Sequence, residues 1–193
     1  MILFYKGNIS KLNNANGIAV VGARKPTLNS YDLSYSYAQI IAKNNLGILS
    51  SNFCDEFILK NHIDHYTRES NLDKAEAVKK IKVCRFIFVC EKESDVDKYL
   101  YREDSPYLNM IDVIYQKLKT LKKHYIFGAD VRNSLDATKE IVITGTPGVV
   151  SEKISELMNK MGCYKSLVYA ATSFSEKEIY TNSLKLFGKH VSI

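Results

Sequence analysis

The sequence predicts an α/β protein with a Rossmann-like, mainly parallel sheet and helices on both faces. Three observations predict it. Short, continuous apolar runs recur along the 193 residues, and strands covered on both faces read this way rather than as alternating patterns. Between the runs, apolar residues return every three or four positions, the period of a helix with one buried face. The run Ile18-Ala-Val-Val21 stops at Gly22 and passes into Ala23, Arg24, Lys25, Pro26 and Thr27, a strand end that turns sharply into a polar loop. Strands alternating with helices argue for parallel pairing with crossover helices.

The elements follow in order. Ile2 to Tyr5 is the first expected strand and Ile18 to Val21 a central one. Tyr31 to Lys43 forms a helix with Leu33, Tyr37, Ile40 and Ile41 on one stripe and Asn29 or Ser30 as its cap. Gly47 to Leu49 is a strand, Asp73 to Ile81 a helix and Arg85 to Val89 a strand. Tyr107 to Leu121 is helical through Leu108, Ile111, Tyr115 and Leu118. Tyr125 to Phe127 and Ile141 to Thr144 are strands. Ser151 to Met161 is a helix capped by Ser151, with Ile154, Leu157, Met158 and Met161 on its buried face. Leu167 to Ala170 is a strand, Ser175 to Phe187 a helix through Ile179, Ser183, Leu184 and Phe187, and His190 to Ile193 the closing strand. No repeat, low-complexity block or linker interrupts the chain, so residues 1–193 read as one domain.

A chain of this length buries a core without disulfides or metals. Its net charge of +6 permits a polyanionic partner without demanding one. Cys54, Cys84, Cys90 and Cys163 form no CxxC pair, and Cys84 and Cys90 flank Phe86 to Val89 as buried thilos would in a reducing compartment. No apolar run approaches the ~18 residues of a membrane span, and no signal peptide is visible. A cytoplasmic protein without a membrane partner is expected.

Arg24, Lys25 and Thr27 supply a forked donor, a point charge and a hydroxyl at the C-terminal end of a strand, where loops and helix N-termini of open α/β sheets gather ligands. Gly22 and Ala23 let the backbone approach closely, so Gly22 to Thr27 reads as a phosphate-receiving loop. Ile2-Leu-Phe-Tyr-Lys-Gly-Asn8, the Lys11 to Asn16 spacer and Ile18 to Thr27 resemble the opening of the DNA-processing protein A (DprA/Smf) family, densely through about Ser50. That resemblance implies a single-stranded DNA-binding protein without known catalysis that helps load recombinase during DNA uptake, and it relates the chain more loosely to nucleotide-binding and phosphoribohydrolase domains. It also places Ser50, Ser51 and Lys189 at the border of the cleft. The sequence departs from the family at Ser51, Phe53 and Cys54, and again at Phe174 to Glu178, where two carboxylates stand in place of a small polar loop.

Ile141 to Ser151 imitates a P-loop at its start, but Ser151 stands where the phosphate-binding Lys belongs and Glu152 where the magnesium-ligating hydroxyl belongs. The segment therefore reads as a strand-to-helix turn that lines a cleft or accepts one phosphate. His62 and His65 share a helix face with too few ligands for zinc. Lys117, Lys119, Lys122, Lys123 and His124 suit a helix C-terminus. No catalytic set, metal site or cofactor emerges, and a non-enzymatic protein is expected. The reading is single-stranded DNA binding through Gly22, Ala23, Arg24, Lys25, Thr27, Ser50, Ser51 and Lys189, with a recombinase as partner and a homodimer compatible with it. Two alternatives stay open: a nucleotide-binding sensor or nucleoside-phosphate-processing domain, and a partner-binding protein that has lost its ligand.

Overall fold

The computed structural model describes residues 28–50, 55–120, 131–162, 166–170 and 177–192. The expected strands at Ile2 to Tyr5, Ile18 to Val21 and Tyr125 to Phe127 lie outside the described residues. Within them, helix α1 (Leu28–Lys43) leads to strand β1 (Ile48–Leu49). Helix α2 (Glu56–Glu69) starts at Asp55, whose Oδ1 accepts the Ile58 amide at 2.7 Å, and it buries Leu59, Ile63 and Tyr66 one turn apart. Helix α3 (Lys74–Lys79) is capped in the same way by Asp73 and runs into strand β2 (Ile81–Val89).

A short helix α4 (Ser94–Val96) and a π-helical turn (Asp97–Tyr101) precede helix α5 (Pro106–Thr120). Helix α6 (Ser134–Ile141) is capped by Asn133 and feeds strand β3 (Val142–Gly145). Helix α7 (Pro147–Met161), strand β4 (Ser166–Ala170) and helix α8 (Lys177–His190) complete the order.

All described strands pair in parallel on β2. Lys82 faces Leu49 on one side and Ser166 on the other, while Phe86 faces Val142 and Ala170. β1 and β3 therefore share one edge of β2 in succession, and β4 takes the opposite edge. Ser50 Oγ spans the break between β1 and β3 by accepting the Cys84 amide at 2.9 Å, so the ladder loses no hydrogen bond there.

Side chains alternate across β2, and the two faces bury different helices. Val83 packs with Leu59, Ile63 and Tyr66 of α2, Ala77 and Val78 of α3, and Leu157 and Met161 of α7. Ile87 and Val89, on the same face, meet Val150 and Ile154 of α7 with Leu186 and Phe187 of α8 against them. Phe86, Phe88 and Cys90 point the other way, onto Leu100, Tyr107, Ile111, Ala137 and Ile141. Tyr107 is their hub. Its ring stands edge-on to Phe86 at 6.4 Å and to Phe88 at 5.9 Å, and its hydroxyl donates to the Ile87 carbonyl at 3.3 Å. Helices on both faces of a parallel sheet make this the expected Rossmann-like α/β architecture.

Three expectations change. α2 extends well beyond the helix face read at His62 and His65, and α6 stands where no helix was assigned. α7 begins four residues before Ser151, because Pro147 at its first position has its φ preset for a helix and no N–H to lose. The C-terminus is helical through His190 rather than a strand, since Gly188 does not break a stripe that continues through Leu186 and Phe187 to Val191.

Candidate functional site

The C-terminal ends of β2 and β3 meet the start of α7. Cys90 donates its amide to the Gly145 carbonyl at 3.0 Å, which carries the pairing of the two strands one residue past their ends. Gly145 then takes φ +145°, and a Cβ built there would lie 2.7 Å from Val149 Cγ1 and 3.2 Å from Glu93 Oε1. Only glycine allows the turn to close this tightly.

Thr146 is the N-cap of α7, yet its side chain makes no capping bond. The first turn of this 15-residue helix therefore has no side-chain cap from Thr146. The Thr146 amide itself donates to Glu93 Oε1 at 3.3 Å, so a carboxylate already sits where the helix dipole favours negative charge. The space beside Gly148 is open: a Cβ there would meet no heavy atom within 4 Å.

Neighbouring bonds fix this turn from below. Lys153 reaches back to the Thr144 carbonyl at 2.8 Å, and Ser151 Oγ donates to Pro147 O at 2.9 Å. Ser192, just past α8, gives its amide to Ser151 Oγ at 3.1 Å, and Ser183 Oγ accepts the Val89 amide at 2.8 Å. α8 is thereby tied both to the end of β2 and to the first turn of α7. Thr144 Oγ1 is buried and has no hydrogen-bond partner among the described residues. Burial, with Glu93 and Asp95 adding to it, pushes the Cys90 thiol up to about 11, which leaves it a neutral wall rather than a nucleophile.

Of the residues the sequence singles out, Gly22, Ala23, Arg24, Lys25, Thr27 and Ser51 lie outside the described residues. Ser50 is buried. Its Oγ is taken by the Cys84 amide and its own amide by the Lys82 carbonyl, at the middle of β2 rather than at its C-terminal end. Lys189 lies exposed in the last turn of α8. The turn at Gly145 to Gly148 is the strand-to-helix connection the sequence predicts, whereas Glu93, Cys90 and Ser192 carry no sequence signal because only the fold brings them to it. Among the described residues no group of three His, Cys, Asp or Glu is placed to hold a metal ion, and no helix is long and apolar enough to cross a membrane.

The profile of the family described as DNA recombination-mediator protein A matches residues 1–52. A search among curated proteins finds no match. Solved structures that share the fold include two monooxygenases. One is the oxygenating constituent of 3,6-diketocamphane monooxygenase from Pseudomonas putida, a type II Baeyer–Villiger monooxygenase in complex with FMN. It superposes with TM-score 0.57 at 17% identity, over 80% of this chain and 44% of that one. The other is the monooxygenase RslO1 from Streptomyces bottropensis, with TM-score 0.53 at 15% identity, over 90% of this chain and 46% of that one. The chain thus spans under half the length of either structure.

These findings correct the reading drawn from the opening residues. The recombination-family match stops at residue 52, while the fold over most of the chain is shared with two monooxygenases at 17% and 15% identity. Single-stranded DNA, a recombinase partner and a role in DNA recombination are therefore not supported, and neither is the expectation of a non-enzymatic protein. The reading rested on a local pattern at Gly22 to Thr27, and a local pattern does not identify what a fold binds.

Proposed function

We propose that the chain binds a phosphate-bearing mononucleotide cofactor of the flavin mononucleotide class at the β3–α7 turn and serves an oxidoreductase. One observation carries this reading: the Thr146 amide is presented to an anionic oxygen, Glu93 Oε1, at the uncapped head of α7. A phosphate oxygen that replaces the carboxylate gains the same donor, together with the amides of Gly148 and Val149 and the Thr146 hydroxyl. The open space at Gly148 and the glycine-only bend at Gly145 give room for it. The fold likeness to a monooxygenase described in complex with FMN supports the same class. The small-ligand alternative drawn from the sequence agrees with it better than a polymer does.

When bound, such a group supplies the redox chemistry. The chain's own residues hold and orient it. The first turn of α7 fixes the phosphate, and Ser151 and Ser192 brace that turn.

Fluorescence titration of the full chain with FMN and with riboflavin tests the reading. FMN is expected to bind at least about tenfold tighter, the scale of one or two charge-assisted hydrogen bonds, each worth roughly 1.5–3 kcal/mol. In Glu93→Gln the competing charge is gone, and FMN should bind several-fold tighter still while riboflavin is unaffected. Equal affinity for the two flavins, or none for FMN, overturns the proposal.

A further inference from the structure

Helices α1 and α2 enclose a cavity of about 400 Å³ with β1 at its base. Its floor is apolar, formed by Ala42, Ile48, Ile58 and the ring of Tyr66, and its rim carries Asn61, His62 and His65. The volume falls within the ~300–1,000 Å³ of small-ligand pockets, which combine an apolar body with a few placed polar groups.

The spacing of the walls is fixed by three hydrogen bonds. The Tyr66 hydroxyl donates to the Leu46 carbonyl at 2.6 Å, Asn71 Nδ2 to the Lys43 carbonyl at 2.8 Å, and Gln39 Nε2 to Glu69 Oε2 at 3.4 Å. These three links clamp α1 against α2 and its following loop. We propose that this cavity is a small-molecule site for a compact, uncharged, largely apolar ligand bearing one hydroxyl or carbonyl group.

The rim chemistry selects that class. Glu69, the one carboxylate in the wall among the described residues, already meets Gln39 through one oxygen and Arg68 through the other. The Arg68 guanidinium can only donate, so His65 Nδ1 accepts from it and the ring's donor sits on Nε2. Partial burial, with His65 beside it, lowers His62 from its ordinary value, and the neutral ring offers one donor and one acceptor. A hydroxyl or carbonyl finds partners there, whereas a full charge finds no counter-ion.

The site is separate from the β3–α7 turn. Ile48 pairs with Ile81 at the first residue of β2, and Gly145 pairs with Val89 at its last, a separation of about 25 Å along the strand at ~3.3 Å per residue. A ligand here acts on the protein from the far end of the sheet, independently of any cofactor at the turn.

Four probes of one size test the assignment on the full chain: benzyl alcohol, toluene, benzoate and benzylamine, followed by the imidazole resonances of His62 and His65 in ¹H–¹⁵N spectra. Benzyl alcohol is expected to shift both rings and to bind at least about threefold tighter than toluene and tenfold tighter than either ion. Ala38→Phe places a ring in the exposed wall of the cavity and should weaken benzyl alcohol tenfold or more. If that variant misfolds, His62→Phe keeps the apolar wall and removes one rim partner, so the advantage of alcohol over toluene should shrink. No response of either ring to any probe, preference for an ion, or undiminished selectivity in the variants overturns the proposal.

Discussion

Cys90 shows how a single buried group couples the fold to pH. Its thiol lies among Phe88, Val96 and Leu100, and burial with the charges of Glu93 and Asp95 pushes it up from 9.0 to about 11. Below pH 9 the thiol is neutral whether the chain is folded or not, and its contribution is fully present. Between about 9 and 11 the unfolded chain ionises while the native one does not, so stability falls as pH rises through that window. Urea unfolding at pH 8.5 and pH 11 should therefore show a steeper loss for the parent than for Cys90→Ala. Parallel losses in the two proteins would mean that Cys90 does not resist ionisation. Ser50 makes a second point about single residues. Its hydroxyl was expected at a phosphate and is instead the acceptor that repairs the ladder where β1 stops and β3 has not begun. Nothing in the composition around Ser50 distinguishes these two uses of one oxygen.

Among the elements, those that declare themselves through continuous apolar runs were legible from the chain alone. β2, β3 and β4 lie on the runs at Arg85 to Val89, Ile141 to Thr144 and Leu167 to Ala170. α5 and α7 follow their apolar stripes. The extent of α2 beyond the helix face at His62 and His65 was not legible because a polar sequence, Glu56 to Glu69, hides a stripe of only three buried residues, and tertiary packing rather than local propensity stabilises it. The candidate site divides in the same way. Gly145 to Gly148 was visible as a turn, but Glu93 lies more than fifty positions away in sequence and joins it only through the parallel pairing of β2 with β3. Gly145 gives the element-scale prediction. Its φ of +145° strains any other residue, and an added Cβ at 2.7 Å from Val149 Cγ1 must displace α7. Gly145→Ala should cost about 1–3 kcal/mol and weaken the Thr146–Glu93 contact. Gly148→Ala, with open space around it and helical φ, should cost much less. Thermal unfolding of both variants decides it, and equal losses would mean the bend is not the constraint.

Across the whole molecule, the middle of β2 gathers charges from four elements that are far apart in sequence. Asp55 caps α2 from a buried position, with Oδ1 on the Ile58 amide and Oδ2 without a hydrogen-bond partner among the described residues. Glu56 joins Lys160 of α7 at 2.9 Å across the surface, a pair whose exposure limits its worth. Arg85 is buried within β2 and directs Nη1 to the Cys84 carbonyl at 3.2 Å. Glu140, in the last turn of α6, feels all of them. Burial first, and then Asp55 and Glu56, push its carboxyl above the ordinary value, while Lys160 and Arg85 pull it down. The net direction fixes a sign. A carboxyl raised by folding contributes fully below its unfolded value of 4.5, and that contribution is lost as pH rises through the folded value. The charge on Glu140 is therefore a cost at neutral pH and absent in acid. Glu140→Gln keeps the shape and fixes the neutral form, so it should raise the melting temperature slightly at pH 7 and leave it unchanged at pH 4. Unfolding curves at those two pH values decide the matter. If Arg85 and Lys160 prevail instead, the variant melts lower at pH 7, and the cluster is then held together by Glu140 rather than burdened by it.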